Sequence, residues 1–182
     1  MMADPLPDFI GYRVWKLADG HLMPLNGFIR QRAANRFGQP LTGHELILHH
    51  LAEAERGIPP LVHLTPEHRA WSGPVGTADK HPTWWNTSGL YANNDTIRGR
   101  RRFRTMLHLT DFWSVAGRVR FFGTVVEHEF GYRASHAVIE CLAIQAASPD
   151  LVRKLEAQYQ CLVKVCPSPE RMWAFLHDRS VS

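Results

Sequence analysis

Residues 112–144 read FWSVAGRVRFFGTVVEHEFGYRASHAVIECLAI, and this stretch decides the fold. It is rich in valine, isoleucine, phenylalanine and tyrosine, the side chains that suit a pleated, half-buried surface. Two β-rich runs, Phe112 to Phe130 and Tyr132 to Ile144, meet at Gly131, which is expected to allow a tight turn. Strict alternation puts Val119, Phe121, Gly123 and Val125 on one face of the first run, and Arg118, Arg120, Phe122, Thr124 and Val126 on the other. A hairpin of this length forms the centre of a sheet.

Working outward, FIGYRVWKL (residues 9–17) is a further β-rich run. Ala18-Asp19-Gly20 is a turn, and HLMPL (residues 21–25) is its returning strand. SGLYA (residues 88–92) is a short strand that ends at Asn93-Asn94-Asp95, and a helix follows to about Leu107, with Ile97, Phe103 and Leu107 toward the core. Ser148-Pro149-Asp150 and Ser168-Pro169-Glu170 repeat one helix-start device, in which serine caps, proline takes the first helical position and an acid faces the positive end. The first of these helices uses Leu151, Val152, Leu155 and Tyr159, and the second uses Met172, Trp173, Phe175 and Leu176. CLVKV between them reads as a strand. Thr42 and Glu45 form a capping box that opens another helix, running to Gly57. Residues 26–41 and 72–85, with their glycines and prolines, read as loop.

These elements predict an α+β chain: a mixed, mostly antiparallel sheet, or a small curled barrel, with three to four peripheral helices. The length of 182 residues suits a single domain over 1–182, and a 45% hydrophobic, 21% charged composition excludes a disordered chain. MMADPLPDF has no basic flank leading into an apolar run, and no stretch reaches 18 apolar residues. A cytoplasmic protein with no signal peptide and no membrane association is expected. Cys141, Cys161 and Cys166 are odd in number and lack a Cys-x-x-Cys spacing, so buried reduced thiols are expected, with no disulfide, metal or cofactor.

The net charge of +4 is local. Arg98, Arg100, Arg101, Arg102 and Arg104 fall within seven positions that hold no acid, and without them basic and acidic residues nearly balance, 16 against 17. On a helix Arg98, Arg101 and Arg102 share a face, with Arg100 and Arg104 in the adjacent row. A single-sign field of guanidinium forks suits the phosphates of a nucleic acid or a phosphorylated ligand. It equally suits an acidic protein partner. Trp84, Trp85 and Tyr91 near the arginines add rings on which bases stack.

A second group is Glu127-His128-Glu129 with Tyr132 and Arg133. On an extended strand Glu127 and Glu129 point the same way, about 7 Å apart. Glu127 or His128 is then a candidate general base, and the carboxylate pair a candidate cation holder. Arg133 can pair with a carboxylate instead, and Tyr132 can stack on a base. His44, His49 and His50 are spaced five and six residues apart, which does not align imidazoles on one helix face. His63, His68 and His81 would ligate a metal only if the fold gathered them. No phosphate-loop, dinucleotide-binding or Gly-x-Ser-x-Gly motif occurs. The reading is a non-enzymatic binding or regulatory module for nucleic acid or a phosphate-bearing ligand, gripped by Arg98, Arg101 and Arg102 and lined by Tyr132 and Arg133. The alternative is a small enzyme using Glu127 or His128 on a nucleotide-like substrate.

At Gly117 to Ala134, and more loosely at Gly89 to Ala92 and Gly11 to Trp15, the chain resembles a family of small bacterial proteins of actinobacteria and some of their phages. That family carries a Gly-Ile-Tyr-Ala strand and a Gly-x-Val-x-Leu-Trp-Gly-x-Val-Val-Glu-His-Glu-x-Gly-Tyr-Arg-Ala run. The resemblance implies that Glu127, His128, Gly131, Tyr132 and Arg133 form a functional or fold-defining group, in a phage or host-defence setting. Relatives often place Cys-x-Cys before the glycine of the first motif, where a metal could sit. Asn86 and Ser88 stand there in this chain, and Phe122 replaces the tryptophan.

Overall fold

The structure, a computed structural model, describes residues 9–18, 20–24, 73–78, 82–83, 89–108 and 114–180. The capping-box helix, the six histidines His44 to His81, Trp84, Trp85, Asn86 and Ser88 lie outside the described residues. Ten elements follow in order: β1 (Phe9–Ala18), β2 (His21–Pro24), β3 (Val75–Thr77), β4 (Leu90–Asn94), α1 (Ile97–His108), β5 (Ser114–His128), β6 (Gly131–Ile144), α2 (Pro149–Tyr159), β7 (Leu162–Val165) and α3 (Pro169–His177). The seven strands form one mixed sheet in which every pairing is antiparallel except the parallel β6–β7 pair. The α+β expectation holds. β1 pairs with β5, β5 with β6, β6 with β4, and β4 with β1, so the pairings close into a ring of four strands.

Side-chain alternation sorts the core into two layers. Trp15, Leu17, Val115, Val119, Phe121, Leu142 and Ile144 pack in one cluster, which α2 covers with Leu155 and Tyr159. Their neighbours Tyr12, Val14, Ala116, Cys141 and Ala143 form the other, covered by Phe103 and Leu107 of α1 and by Met172, Phe175 and Leu176 of α3. Cys141 and Cys166 are buried, Cys161 is half-buried, and all three are free thiols. Both Ser-Pro starts cap as expected. Ser148 Oγ accepts from Leu151 N at 3.2 Å and Ser168 Oγ from Arg171 N at 3.3 Å. The Tyr159 hydroxyl accepts from Leu22 N at 2.9 Å, fastening α2 to the first hairpin.

Three expectations are corrected. Val75–Thr77 is a strand within the stretch expected to be loop, because three residues suffice to pair with Val138, Ala137 and His136 of β6. Ile97 faces solvent at 88% exposure, since Thr96 caps α1 and the first helical residue points away from the sheet. The β5–β6 turn is Glu129-Phe130, and Gly131 already belongs to β6, opposite His128. Its φ is not positive; the glycine with a positive φ in this hairpin is Gly123, at +76°, in a bulge between Phe122 and Val125. What Gly131 supplies is room, because β4 lies against it: a Cβ there would collide with the Ala92 carbonyl oxygen and the Tyr91 ring.

Candidate functional site

The two groups singled out in the sequence are neighbours in space. Asn94, buried at the end of β4, joins them. Its backbone N–H donates to Phe130 O at 3.0 Å and its side-chain amide donates to His128 O at 3.1 Å, so the β5–β6 turn is held from below. Its Oδ1 accepts from the Thr96 hydroxyl at 2.6 Å, and Thr96 Oγ1 in turn accepts from Gly99 N at 3.1 Å, which caps α1. Gly99 lets the helix sit directly on Asn94, where any Cβ would overlap its side chain and carbonyl. One buried asparagine therefore sets both the start of the arginine helix and the turn beside it. The sequence marked it only as a strand end.

Around this anchor α1 buries Gly99, Phe103 and Leu107 and exposes all five arginines. They do not share one environment. Arg98 forms an ion pair with Glu129 across the turn, and Arg102 lies with its Cζ 5.6 Å from the centre of the Phe130 ring. On the other flank Arg100 grips Asp95 through two hydrogen bonds of 2.7 and 2.8 Å, and Arg104 sits 6.0 Å from the Trp173 ring. Among the described residues Arg101 and Arg102 have no ion-pair partner, and the Arg104 charge acts on Glu170 of α3 without an ion pair between them. The acid-free run in the sequence thus meets two acids in space, Asp95 and Glu129, and Arg98 is not an isolated cation as expected. The Arg98–Glu129 pair is exposed enough that it contributes little, about 0–1 kcal/mol, and yields readily to a stronger anion.

Tyr91 of β4 stands opposite Arg133 of β6 on the side of the sheet that carries α1, with its hydroxyl above Gly131. Burial raises its phenol pKa, against a smaller lowering by the charges of Arg102 and Arg13, so it is a neutral donor. Phe130 is 37% exposed, and with Phe122 it is one of two exposed aromatic rings among the described residues. Phe122 is taken up by stacking on His136. Arg98, Arg102, Tyr91 and Phe130 therefore form one patch at the junction of α1 and the turn.

The hairpin residues fare differently from expectation. Arg133 bonds neither glutamate; its Nε donates to His128 Nε2 at 2.7 Å and its Nη2 to Thr83 O at 3.0 Å. Burial first, and then the Arg133 charge, lower the His128 pKa. An imidazole that accepts at Nε2 keeps its proton on Nδ1 and has no basic lone pair to offer. Glu129 is paired with Arg98, while Glu127 is exposed beside its register partner Tyr132. The half-buried Tyr132 ring packs edge-on against Phe9 and Phe121 at 5.4 and 6.2 Å, at the margin of the first core cluster. Burial, then the Glu127 charge, raise its pKa.

A polar network behind α1 was not legible in the sequence. Arg118, with its side chain 4% exposed, donates to Glu140 Oε2 at 2.7 Å and to the carbonyls of Asp178 and Leu176 at 2.8 and 3.3 Å, closing the C-terminus of α3. Arg120 holds the other oxygen of Glu140. His177, the last residue of α3, is stacked between Tyr12 at 4.2 Å and Trp173 at 3.8 Å, with Nδ1 3.0 Å from Trp173 O and a buried Nε2 that has no hydrogen-bond partner. Burial, and to a lesser degree the Asp95 charge, push the Tyr12 phenol up to about 12. Burial would raise the Asp95 carboxyl, but the hydrogen bonds and charge of Arg100 outweigh it and hold it below its ordinary value. The network locks the Arg100 flank of α1 and leaves the Arg98–Arg102 flank as the accessible one. Compared with protein-family models, with curated proteins and with solved structures, the chain matches none, so the reading of this patch rests on its own residues.

Proposed function

We propose that the chain is a binding module for a polyanion, with nucleic acid as its ligand, and that α1 is the element that meets it. The observation that carries this reading is the helix itself: twelve residues that project Arg98, Arg101, Arg102 and Arg104 to solvent and have no acid in the first turn. Cations near a helix N-terminus add to the positive end of its dipole instead of offsetting it, an arrangement that costs stability and favours an anion. Arginine rather than lysine supplies every charge of α1, and the planar fork both chelates phosphate and stacks. Arg98 would exchange Glu129 for phosphate on binding. Tyr91 and Phe130 extend the surface, while Tyr132 and Arg133 support it from the hairpin. The enzymatic alternative is less favoured, because the His128 lone pair is occupied by Arg133.

The test is direct binding of a labelled oligonucleotide at low salt, for the native chain and for a variant with Arg98, Arg101 and Arg102 all replaced by glutamine. Each replacement removes a charged contact worth roughly 1 kcal/mol or more, so the triple variant should bind at least about a hundredfold more weakly. Equal affinity, or no binding by the native chain at low salt, overturns the proposal.

A further inference from the structure

The patch also specifies which form of nucleic acid it would take. We infer that it binds single-stranded nucleic acid in preference to duplex, with Phe130 as a base-stacking platform and Arg98 and Arg102 on the flanking phosphates; this rests on the polyanion reading above.

A phenylalanine at the tip of a two-residue turn, 37% exposed, keeps apolar area in water that a serine or asparagine would not. It is also held rather than loose, since its carbonyl accepts from Asn94 N at 3.0 Å and the preceding His128 carbonyl accepts from the Asn94 amide at 3.1 Å. The backbone that carries the ring is therefore held in place before a ligand arrives, which lowers the ordering cost of binding. Arg102 already lies against the ring at 5.6 Å, which makes a paired guanidinium–aromatic surface on which a base can continue the stack. Arg98 and Arg102 are four residues apart, about 6 Å along the axis of α1, a spacing close to that of successive phosphates on one strand.

Duplex DNA or RNA hides its base faces, so Phe130 and the flat side of Arg102 would have nothing to stack on, and only the charges would count. A single strand uses charges and rings together. Tyr91, a neutral phenol beside Arg102, adds a hydroxyl that can donate to a base edge or sugar. Stacking of this kind tolerates any base, so preference among sequences should be weak.

The test compares a single-stranded oligonucleotide of about 12 nucleotides with a duplex of equal length, in one buffer, against the native chain, Phe130→Ala, Phe130→Trp and the triple arginine variant. Loss of one stacked base should weaken single-strand binding by about fivefold or more in Phe130→Ala and leave duplex binding within about twofold. Phe130→Trp should restore it, and tryptophan fluorescence in that variant should be quenched on binding. Thermal melting of each variant separates a lost stacking contact from a lost fold, since Phe130 is only 37% exposed. Duplex binding as tight as single-strand binding, with Phe130→Ala without effect, overturns the single-strand preference while the polyanion reading stands. Binding of either form that ignores the triple arginine variant overturns both.

Discussion

Gly131→Ala adds one methyl group at the point where β4 presses on β6, beneath the turn that carries Glu129 and Phe130. Built on the existing backbone, that methyl carbon lies 2.7 Å from the Tyr91 hydroxyl oxygen, 2.8 Å from Tyr91 Cε2 and closer still to the Ala92 carbonyl oxygen. Carbon atoms pack comfortably at about 3.5–4.0 Å, so the overlap with the Tyr91 ring is roughly 1 Å. The Tyr91 side chain can rotate away. The Ala92 carbonyl cannot, because its strand is paired on both edges, to β1 and to β6. Backbone torsion contributes nothing, since Gly131 does not use a positive φ. The cost is therefore that of overpacking against a fixed backbone, about 2–3 kcal/mol. In a chain of this size each 1 kcal/mol lowers the melting temperature by about 2–4 °C, which gives a fall of roughly 4–12 °C. Calorimetry or circular dichroism melting measures it, with Gly73→Ala as the control: a Cβ there meets nothing within 4 Å, and its cost should stay within about 0.5 kcal/mol. A Gly131→Ala melting curve that coincides with the control refutes the steric argument, and with it the claim that this glycine makes room for β4 beneath the turn.

Two further outcomes test the network behind α1. Arg118→Ala strips Glu140 of its more buried partner and frees two carbonyls at the end of α3; it should destabilise the fold by about 3 kcal/mol in denaturant unfolding, and a loss under about 1 kcal/mol would show that Arg120 suffices. His177 has its pKa lowered, chiefly by burial, so the unfolded chain binds more protons just below pH 6.5 and stability should be full above that pH and decline as it falls. Unfolding midpoints at pH 7.5 and about pH 5.5 should differ less in His177→Gln than in the native chain, though His128 adds a change of the same sign. An undiminished difference would remove His177 from that account.

Much of the fold was legible because it is written in short-range chemistry. The Ser-Pro-acid starts of α2 and α3 need only three residues to declare a cap, and the alternation of β5 and β6 is long enough to be read without a partner. β3 was not legible, since three residues with a glycine at their centre show no period and become a strand only by pairing with β6. Ile97 was misplaced because helical spacing cannot tell which residue is the first inside the cap. The arginine cluster was legible as charge, but its pairing was not: Glu129 lies 31 residues from Arg98 and reaches it only through the closure of β4 onto β6. Phe130 read as the end of a β-rich run and Gly131 as the turn, whereas Phe130 lies in the turn and Gly131 leaves room for β4.

The most direct measurement of the central claim is the salt dependence of single-strand binding. A patch that engages Arg98, Arg101 and Arg102 with three phosphates should give a log–log slope of affinity against salt of about −2, at about 0.7 per phosphate. In the triple glutamine variant the slope should flatten toward zero as the affinity drops. A slope shared by the native chain and the variant would mean that the counterions are released elsewhere, and α1 would not be the binding element.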